Sequence, residues 1–342
     1  MQPRERVLAM INGAWMCQAI AAACELELFD HLADGQETVG ALASATRADA
    51  GCVYRLLRAL TTLDLCEERG DGAFALSADG ALLCREADNG LHHWARLSGR
   101  RLWTNWGALA DCVRAGSSAR KRQAGAENFT AFNKDPTGAA VFNRAMADLT
   151  RPVALAAAQK LNWSGFKCVV DVGGGPGELV ATLLERHVHL RGVVFDLDHA
   201  VAPAQERMRR GGLAERCEIV AGSFFESVPP GDAYLLKSVM HNWDDASALD
   251  ILKTCRRSIA ADGVVFLFER LVPEHYSSSA TDRDVARSDL NMLVGCDGRE
   301  RTETQFRLLL EKAGFALQRT QLLAASMSAL VATRRAADPG HL

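Results

Sequence analysis

The sequence predicts an α/β protein: a doubly wound, mostly parallel sheet preceded by a helical, winged-helix-like domain. Three observations carry this. Residues 168–177 run an apolar, β-forming stretch straight into glycines at 173, 174, 175 and 177, and a helix-permissive segment follows from Glu178 to Arg186. From residue 165 onward strand-like and helix-like segments alternate, the pattern of parallel strands with crossover helices. Residues 37–85 read as helix, helix and hairpin.

Taken in order, residues 5–34 form a helix that is apolar on nearly every side. Such a helix must be buried all round, and a second subunit is its natural cover, so a dimer is expected. Ala21-Ala22-Ala23-Cys24 faintly mimics a lipoprotein cleavage site. Asn12 and Gln18 interrupt the apolar run, however, and the helical pattern continues through Phe29, unlike a secretory signal. No segment is read as reaching the length of a membrane span.

Helices over 38–45 and 50–63 then lead to short strands at 65–68 and 73–76 around Gly70-Asp71-Gly72. A winged helix suggests DNA binding. Yet Arg47, Arg55, Arg58, Arg69 and Arg85 face Glu37, Asp49, Asp64, Glu67, Glu68, Asp71 and Asp79, leaving residues 37–85 at net −2. A DNA-reading face should be clearly basic, so the unit reads as structural or dimerising.

Residues 91–160 are helical and carry Trp94, Trp103, Trp106, Phe129, Phe132 and Phe142, with a polar, basic loop at 115–126 and a helix start at Asp135-Pro136. Strands are expected at 168–172, 192–196, 217–221, 233–237, 263–268, 316–323 and 328–333, with helices between the first five. The last two should form an antiparallel edge hairpin. Residues 274–284 read as a polar loop, and 336–342 as a frayed tail. The domains are therefore 1–95 (dimerisation), 96–160 (linker and pocket helices), 161–335 (ligand-binding and catalytic) and the tail.

The chain of 342 residues is 48% hydrophobic and 24% charged, as an ordinary soluble protein is. Its net charge of −3 offers no general attraction to nucleic acid or an anionic membrane. Ten scattered cysteines without a Cys-x-x-Cys read as reduced thiols in a cytoplasmic protein.

The glycine stretch by itself is ambiguous. The dinucleotide fingerprint requires a third glycine where Glu178 stands, and Gly177 falls one place early. A second strand ends at Asp196, where a carboxylate can accept hydrogen bonds from a ribose diol. Loop and acid together point to an adenosine-containing cofactor; the alternative is an ordinary turn. The fourth strand leads through Lys237 to His241 and Trp243, the fifth ends at Glu269, and Gly298–Thr302 precedes another helix. One histidine with Glu269 and Glu300 suits a general base oriented by carboxylates, although a surface or salt-bridged histidine fits the same pattern.

These segments, with the Gly222-Ser223-Phe224-Phe225 turn, occur in the order and spacing of a known family. Over nearly its whole length the chain resembles the S-adenosylmethionine-dependent small-molecule O-methyltransferases, which include caffeate, hydroxyindole and bacterial phenazine and polyketide enzymes. Phe142–Met146 resembles that family's helix over the cofactor, and residues 5–85 its winged-helix dimerisation domain.

The resemblance implies a Rossmann-like sheet and a homodimer, with no nucleic acid and no membrane as partner. It implies S-adenosylmethionine as methyl donor, leaving as S-adenosylhomocysteine, and no metal. It places Asp171, Gly173 and Gly175 at the methionine part and Asp196, with Leu197, at the ribose. Gly222, Ser223 and Phe224 come at adenine, and Lys237 with Ser238 closes the site. His241 becomes the base, with Glu269 and Glu300 near it. Trp103, Phe142, Met146, Asn242, Trp243, Asp289, Met292 and Leu293 would line the pocket of a hydroxylated aromatic substrate, a secondary metabolite such as a phenolic, phenazine or polyketide.

There are two departures: Ser223 and Asn242 stand where the family usually has aspartate, and the first bears on one hydrogen bond to adenine. Rival readings are a relative that hydroxylates, decarboxylates or methylates carbon or nitrogen, and a winged-helix regulator that senses the cofactor. His241 favours oxygen methylation, and the acidic wing opposes the regulator.

The chemistry is feasible on magnitudes. A phenol near pKa 10 facing an imidazole near 6.5 costs roughly 5 kcal/mol to deprotonate fully. In-line alignment can supply on the order of 7–11 kcal/mol in the best intramolecular cases. No metal is needed, and the sequence shows no ligand set for one.

Overall fold

A computed structural model describes residues 2–118, 121–122, 129–324 and 326–335. The expected tail at 336–342 and residues 119, 120 and 123–126 of the basic loop lie outside the described residues. The chain divides into two compact units, residues 1–104 with 140–149, and residues 105–139 with 150–342.

In the first unit, α1 (Pro3–Glu25) and α2 (Leu28–Ala33) replace the single helix expected over 5–34. Glu27 takes a left-handed φ of 56°, which interrupts the i→i−4 ladder between them. Within this chain α1 is not buried all round. Only Ala21, Ala23 and Cys24 are covered, while Met10, Ile11 and Trp15 are 75%, 62% and 65% exposed. The expectation about span length is also corrected: α1 has 23 residues and holds an 18-residue window of mean hydropathy 1.6, long and apolar enough to cross a membrane by length and composition.

Helices α3 (Val39–Thr46) and α4 (Ala50–Thr61) start at Thr38 and Asp49, whose side chains accept from Ala41 N and Cys52 N. Strands β1 (Cys66–Glu68) and β2 (Phe74–Leu76) form the antiparallel hairpin. Leu28, Phe29, Leu42, Leu57 and Phe74 close one core beneath these elements.

The second unit is built on a seven-stranded sheet of β3 (Cys168–Val172), β4 (Arg191–Asp196), β5 (Cys217–Ala221), β6 (Gly231–Lys237), β7 (Ile259–Arg270), β8 (Phe315–Ala324) and β9 (Met327–Arg334). Its order is β5-β4-β3-β6-β7-β9-β8. The first five strands run parallel; β9 and β8 are antiparallel, with β8 at the edge.

Alternation along each strand feeds two cores. Val169, Val194, Leu235, Phe266 and Val331 pack on one face under α5 (Pro136–Lys160) and α6 (Glu178–Arg186). Val170, Val193, Tyr234, Leu267 and Leu330 pack on the other. The remaining named helices are α7 (Asp198–Arg210), α8 (Asp245–Ser258), α9 (Ala280–Cys296) and α10 (Glu303–Lys312).

Two expectations change. The β5–β6 connection has no helix, because Pro229-Pro230 lacks N–H donors and disfavours helical backbone just before it. The polar loop is shorter than expected, since Ser279 caps α9 by accepting from Asp282 N at 3.0 Å. Strand order reverses between β3 and β6, which opens a crevice at their C-terminal ends.

Candidate active site

β3 delivers the glycine loop to that crevice. Gly173, Gly175 and Gly177 have φ of 73°, 51° and 79°, values that side chains other than glycine's strain to adopt. Gly173 N donates to Phe195 O at 2.8 Å, pinning the loop to the end of β4. Asp196 accepts from Gly175 N at 2.9 Å and from Leu197 N at 2.7 Å, one donor on each oxygen. Burial pushes its pKa up, and those two N–H groups oppose the rise. Asp171 is buried beneath the loop, and burial lifts its pKa to about 7. Its Oδ2 has no hydrogen-bond partner. A bare main-chain cradle, a strand-end carboxylate with lone pairs to spare and an orphan buried acceptor suit a ligand that brings both a diol and donors.

β6 ends at Lys237, which burial and Arg270 lower to about 8 against the pull of Glu269, Asp171 and Glu300. Ser238 turns the chain at φ 55°, and a single helical turn, Met240–Asn242, carries His241. His241 is buried, 6% exposed, with Nδ1 at 3.0 Å from Glu300 Oε1 and 3.6 Å from Glu269 Oε2. The two carboxylates have different jobs. Glu269 Oε1 accepts from Val239 N and Met240 N at 3.1 and 2.8 Å, so Glu269 anchors the turn, whereas Glu300 meets the imidazole directly.

Ser288 Oγ donates to Glu300 Oε1 at 2.6 Å, and Glu300 N donates to Asp289 Oδ1 at 2.8 Å. Burial alone would depress the His241 pKa, but Glu300 and Glu269 outweigh it and the net shift is upward. Burial likewise raises Glu269; for Glu300 the imidazole and Ser288 overcome burial and hold it low. The sequence reading saw no metal-ligand set. In the structure donor atoms of His241, Glu269 and Glu300 lie within 4.8 Å of one another, close enough to hold an ion, but the histidine–carboxylate and main-chain hydrogen bonds account for the grouping.

The other expected residues divide. Phe224 and Phe225 stand edge-on to Trp243, with centroids 5.9 and 4.8 Å away. Ser223 Oγ accepts from Phe225 N at 3.3 Å, and a Cβ at Gly222 would come within 2.6 Å of the Phe195 ring. The Asn242 amide is turned back into its own turn, donating to Ser238 O at 2.9 Å and accepting from Cys296 Sγ at 3.6 Å. Met292 is buried, and Leu293 packs with Trp106, Cys112 and Val294. Trp103, Phe142 and Met146 belong to the other compact unit. Sequence reading missed Ser288, which stands in a featureless helix. It also missed the role of Arg301, which it quoted only as part of Gly298–Thr302.

A doubly wound sheet with a glycine cradle, a strand-end aspartate and a buried histidine–glutamate pair at the switch point suits an adenosine-containing ligand held beside a general base. The chain belongs to the O-methyltransferase family: the O-methyltransferase domain matches residues 106–316 and the O-methyltransferase dimerisation domain residues 8–85.

It is 32% identical over 323 residues to the phenazine O-methyltransferase PhzM of Lysobacter antibioticus, covering 94% of each chain. Human N-acetylserotonin methyltransferase, solved with S-adenosylmethionine, superimposes with a TM-score of 0.90 at 27% identity, covering 98% of this chain and 99% of that one. NcsB1 of neocarzinostatin biosynthesis, solved with S-adenosylmethionine and 2-hydroxy-5-methyl naphthoic acid, gives 0.76 at 30% identity, covering 93% and 96%.

Proposed function

We propose that this enzyme transfers a methyl group from S-adenosylmethionine to a hydroxyl of an aromatic secondary metabolite, with His241 as general base and without a metal. The observation that carries this reading is the buried His241–Glu300 pair at the sheet's switch point, beside the glycine cradle. With Nδ1–H donated to Glu300, the basic lone pair is on Nε2. His241 takes the acceptor's proton there as the oxygen begins to bond to carbon. Bound S-adenosylmethionine would supply the methyl from its sulfonium, with S-adenosylhomocysteine as the second product. Glu300 stabilises the imidazolium that forms, and Glu269 keeps the turn in place.

Asp196, Leu197, Gly173, Gly175 and Asp171 would hold the ribose and methionine parts. Phe224, with Gly222 and Ser223, would flank adenine, and Lys237 with Ser238 would close that site. Asn242, Trp243, Asp289, Met292 and Leu293 would shape the acceptor pocket. The matched dimerisation domain and the exposed apolar α1 support a homodimer, and free cysteines suit a cytoplasmic enzyme.

The test is a mass screen of phenols, naphthols and phenazines with S-adenosylmethionine. An acceptor should gain one methyl with wild-type enzyme and far more slowly with His241→Ala. A methyl found on carbon or nitrogen, or equal rates for the two enzymes, would overturn the reading.

A further inference from the structure

The turn that carries His241 is gripped at its two ends by side chains of opposite charge. At its N–H end stands Glu269, as described above. At its carbonyl end, Arg301 Nη1 donates to Met240 O at 2.8 Å and Nη2 to Trp243 O at 2.7 Å. The Arg301 side chain is wholly buried, 0% exposed. Its Nε reaches Asp245 Oδ1 at 2.9 Å, and its guanidinium carbon lies 6.0 Å from the Phe306 ring centroid.

The neighbours of Arg301 in sequence hold the same turn. Arg299 N donates to His241 O at 2.8 Å, and a Cβ at Gly298 would overlap that oxygen. Glu300 takes the imidazole itself. The backbone of Arg301 is registered against the end of β7, where Val272 N donates to Arg301 O at 3.0 Å just beyond Glu269.

Burying a cation is costly unless its donors are all engaged, and a core residue needed only for packing would be apolar. A guanidinium is suited to bridging two carbonyls because its donors form a rigid fork; a lysine ammonium is a single point on a flexible stem. The spacing of the two acceptors, Met240 and Trp243, brackets His241.

We propose that Arg301 is a positioning residue for methyl transfer: by bridging the Met240 and Trp243 carbonyls it fixes the His241 backbone so that Nδ1 meets Glu300 and Nε2 faces the acceptor hydroxyl. This rests on His241 being the base. Arg301 touches neither cofactor nor acceptor in this role; it acts through the turn. Asp245, half-exposed at the start of α8, braces the guanidinium from outside.

The test compares Arg301→Lys, His241→Ala and the double variant, using the acceptor returned by the mass screen and calorimetry with S-adenosylmethionine. Arg301→Lys should lower kcat roughly 10- to 100-fold, the scale of a misplaced catalytic group. Its cofactor Kd and acceptor KM should stay near wild type. In the His241→Ala background the same change should cost nothing further, because the group being positioned is already gone. The acidic limb of the Arg301→Lys pH profile should also move to lower pH as the imidazole parts from Glu300.

Full additivity in the double variant, or unchanged kcat in Arg301→Lys, would sink the positioning role. A His241→Ala enzyme with wild-type turnover would instead sink the base assignment itself. If Arg301→Lys does not fold, Asp245→Asn replaces it. It alters a half-exposed brace and should give a smaller kcat loss in the same direction, again absent in the His241→Ala background; a loss in cofactor affinity alone would count against the proposal.

Discussion

His241 is a base because burial is outweighed by its two carboxylates, and the sign of that contest can be measured. The imidazole must be neutral to accept a proton, and its pKa lies above the ordinary value of 6.5. The rate should therefore climb with pH along a limb lying above that value. Glu300→Gln removes the nearer charge, so the limb should move to lower pH with a smaller loss of rate than His241→Ala. His241→Ala should lower kcat by roughly 10²–10⁴ while cofactor affinity holds, and its rate should recover toward the phenol's own pKa. Asp196→Ala should weaken S-adenosylmethionine at least about tenfold by calorimetry. Unchanged affinity would remove the acid from the cofactor site.

Asp171 links stability to pH. Its folded pKa of about 7 lies above the ordinary carboxylate value of 3.8. Its contribution is thus present below the unfolded value and is lost as pH rises through the folded one. Asp171→Asn should raise the melting temperature of the cofactor-free chain, and by more at pH 8 than at pH 5. A larger gain at pH 5 would contradict the buried-charge account.

At the scale of elements, the glycine loop was visible in the sequence because its composition is unusual, but the reason for each glycine was not. At Gly177 a positive φ combines with crowding, since a Cβ there would sit 2.8 Å from Met208 Cε and 3.0 Å from Val194 Cγ2. Gly177→Ala should destabilise the chain by about 1–3 kcal/mol, read as a lowered denaturation midpoint. At Gly212, φ is also positive but the space is open, so Gly212→Ala should cost less, from backbone strain alone. Helix α1 shows the limit of pattern reading. Its apolar residues announced burial, yet among the described residues Met10, Ile11 and Trp15 stay exposed, and the break at Glu27 left no mark in the periodicity.

For the whole molecule, the exposed face of α1 predicts association. Sedimentation at micromolar concentration should show a species of twice 37.0 kDa. Val7, Met10, Ile11 and Trp15 are among the exposed large hydrophobics, and Ile11→Glu with Trp15→Glu should yield monomers. A wild-type monomer at that concentration would sink the dimer. Cofactor binding should raise the melting temperature with S-adenosylmethionine concentration, by about 2.7 kcal/mol of stability at a hundred times Kd.

The strands, the hairpin, the glycine loop and the candidate residues Asp196, His241, Glu269 and Glu300 could all be read from sequence. Apolar β-forming runs, glycine clusters and isolated polar residues at strand ends are local signals, written within a few neighbours. What required the tertiary structure was the division of labour. Glu269 and Glu300 look alike in sequence, but one accepts main-chain N–H groups while the other meets the imidazole. Asn242, expected at the pocket, has its amide tied to Ser238 O within its own turn. Ser288 and Arg301 reach the site from α9 and the loop before α10, and no periodicity records such contacts. Sequence pattern depends on which face a residue occupies; a hydrogen bond depends on tenths of an ångström between residues that are 12 to 61 positions apart, and only the packed chain sets that distance.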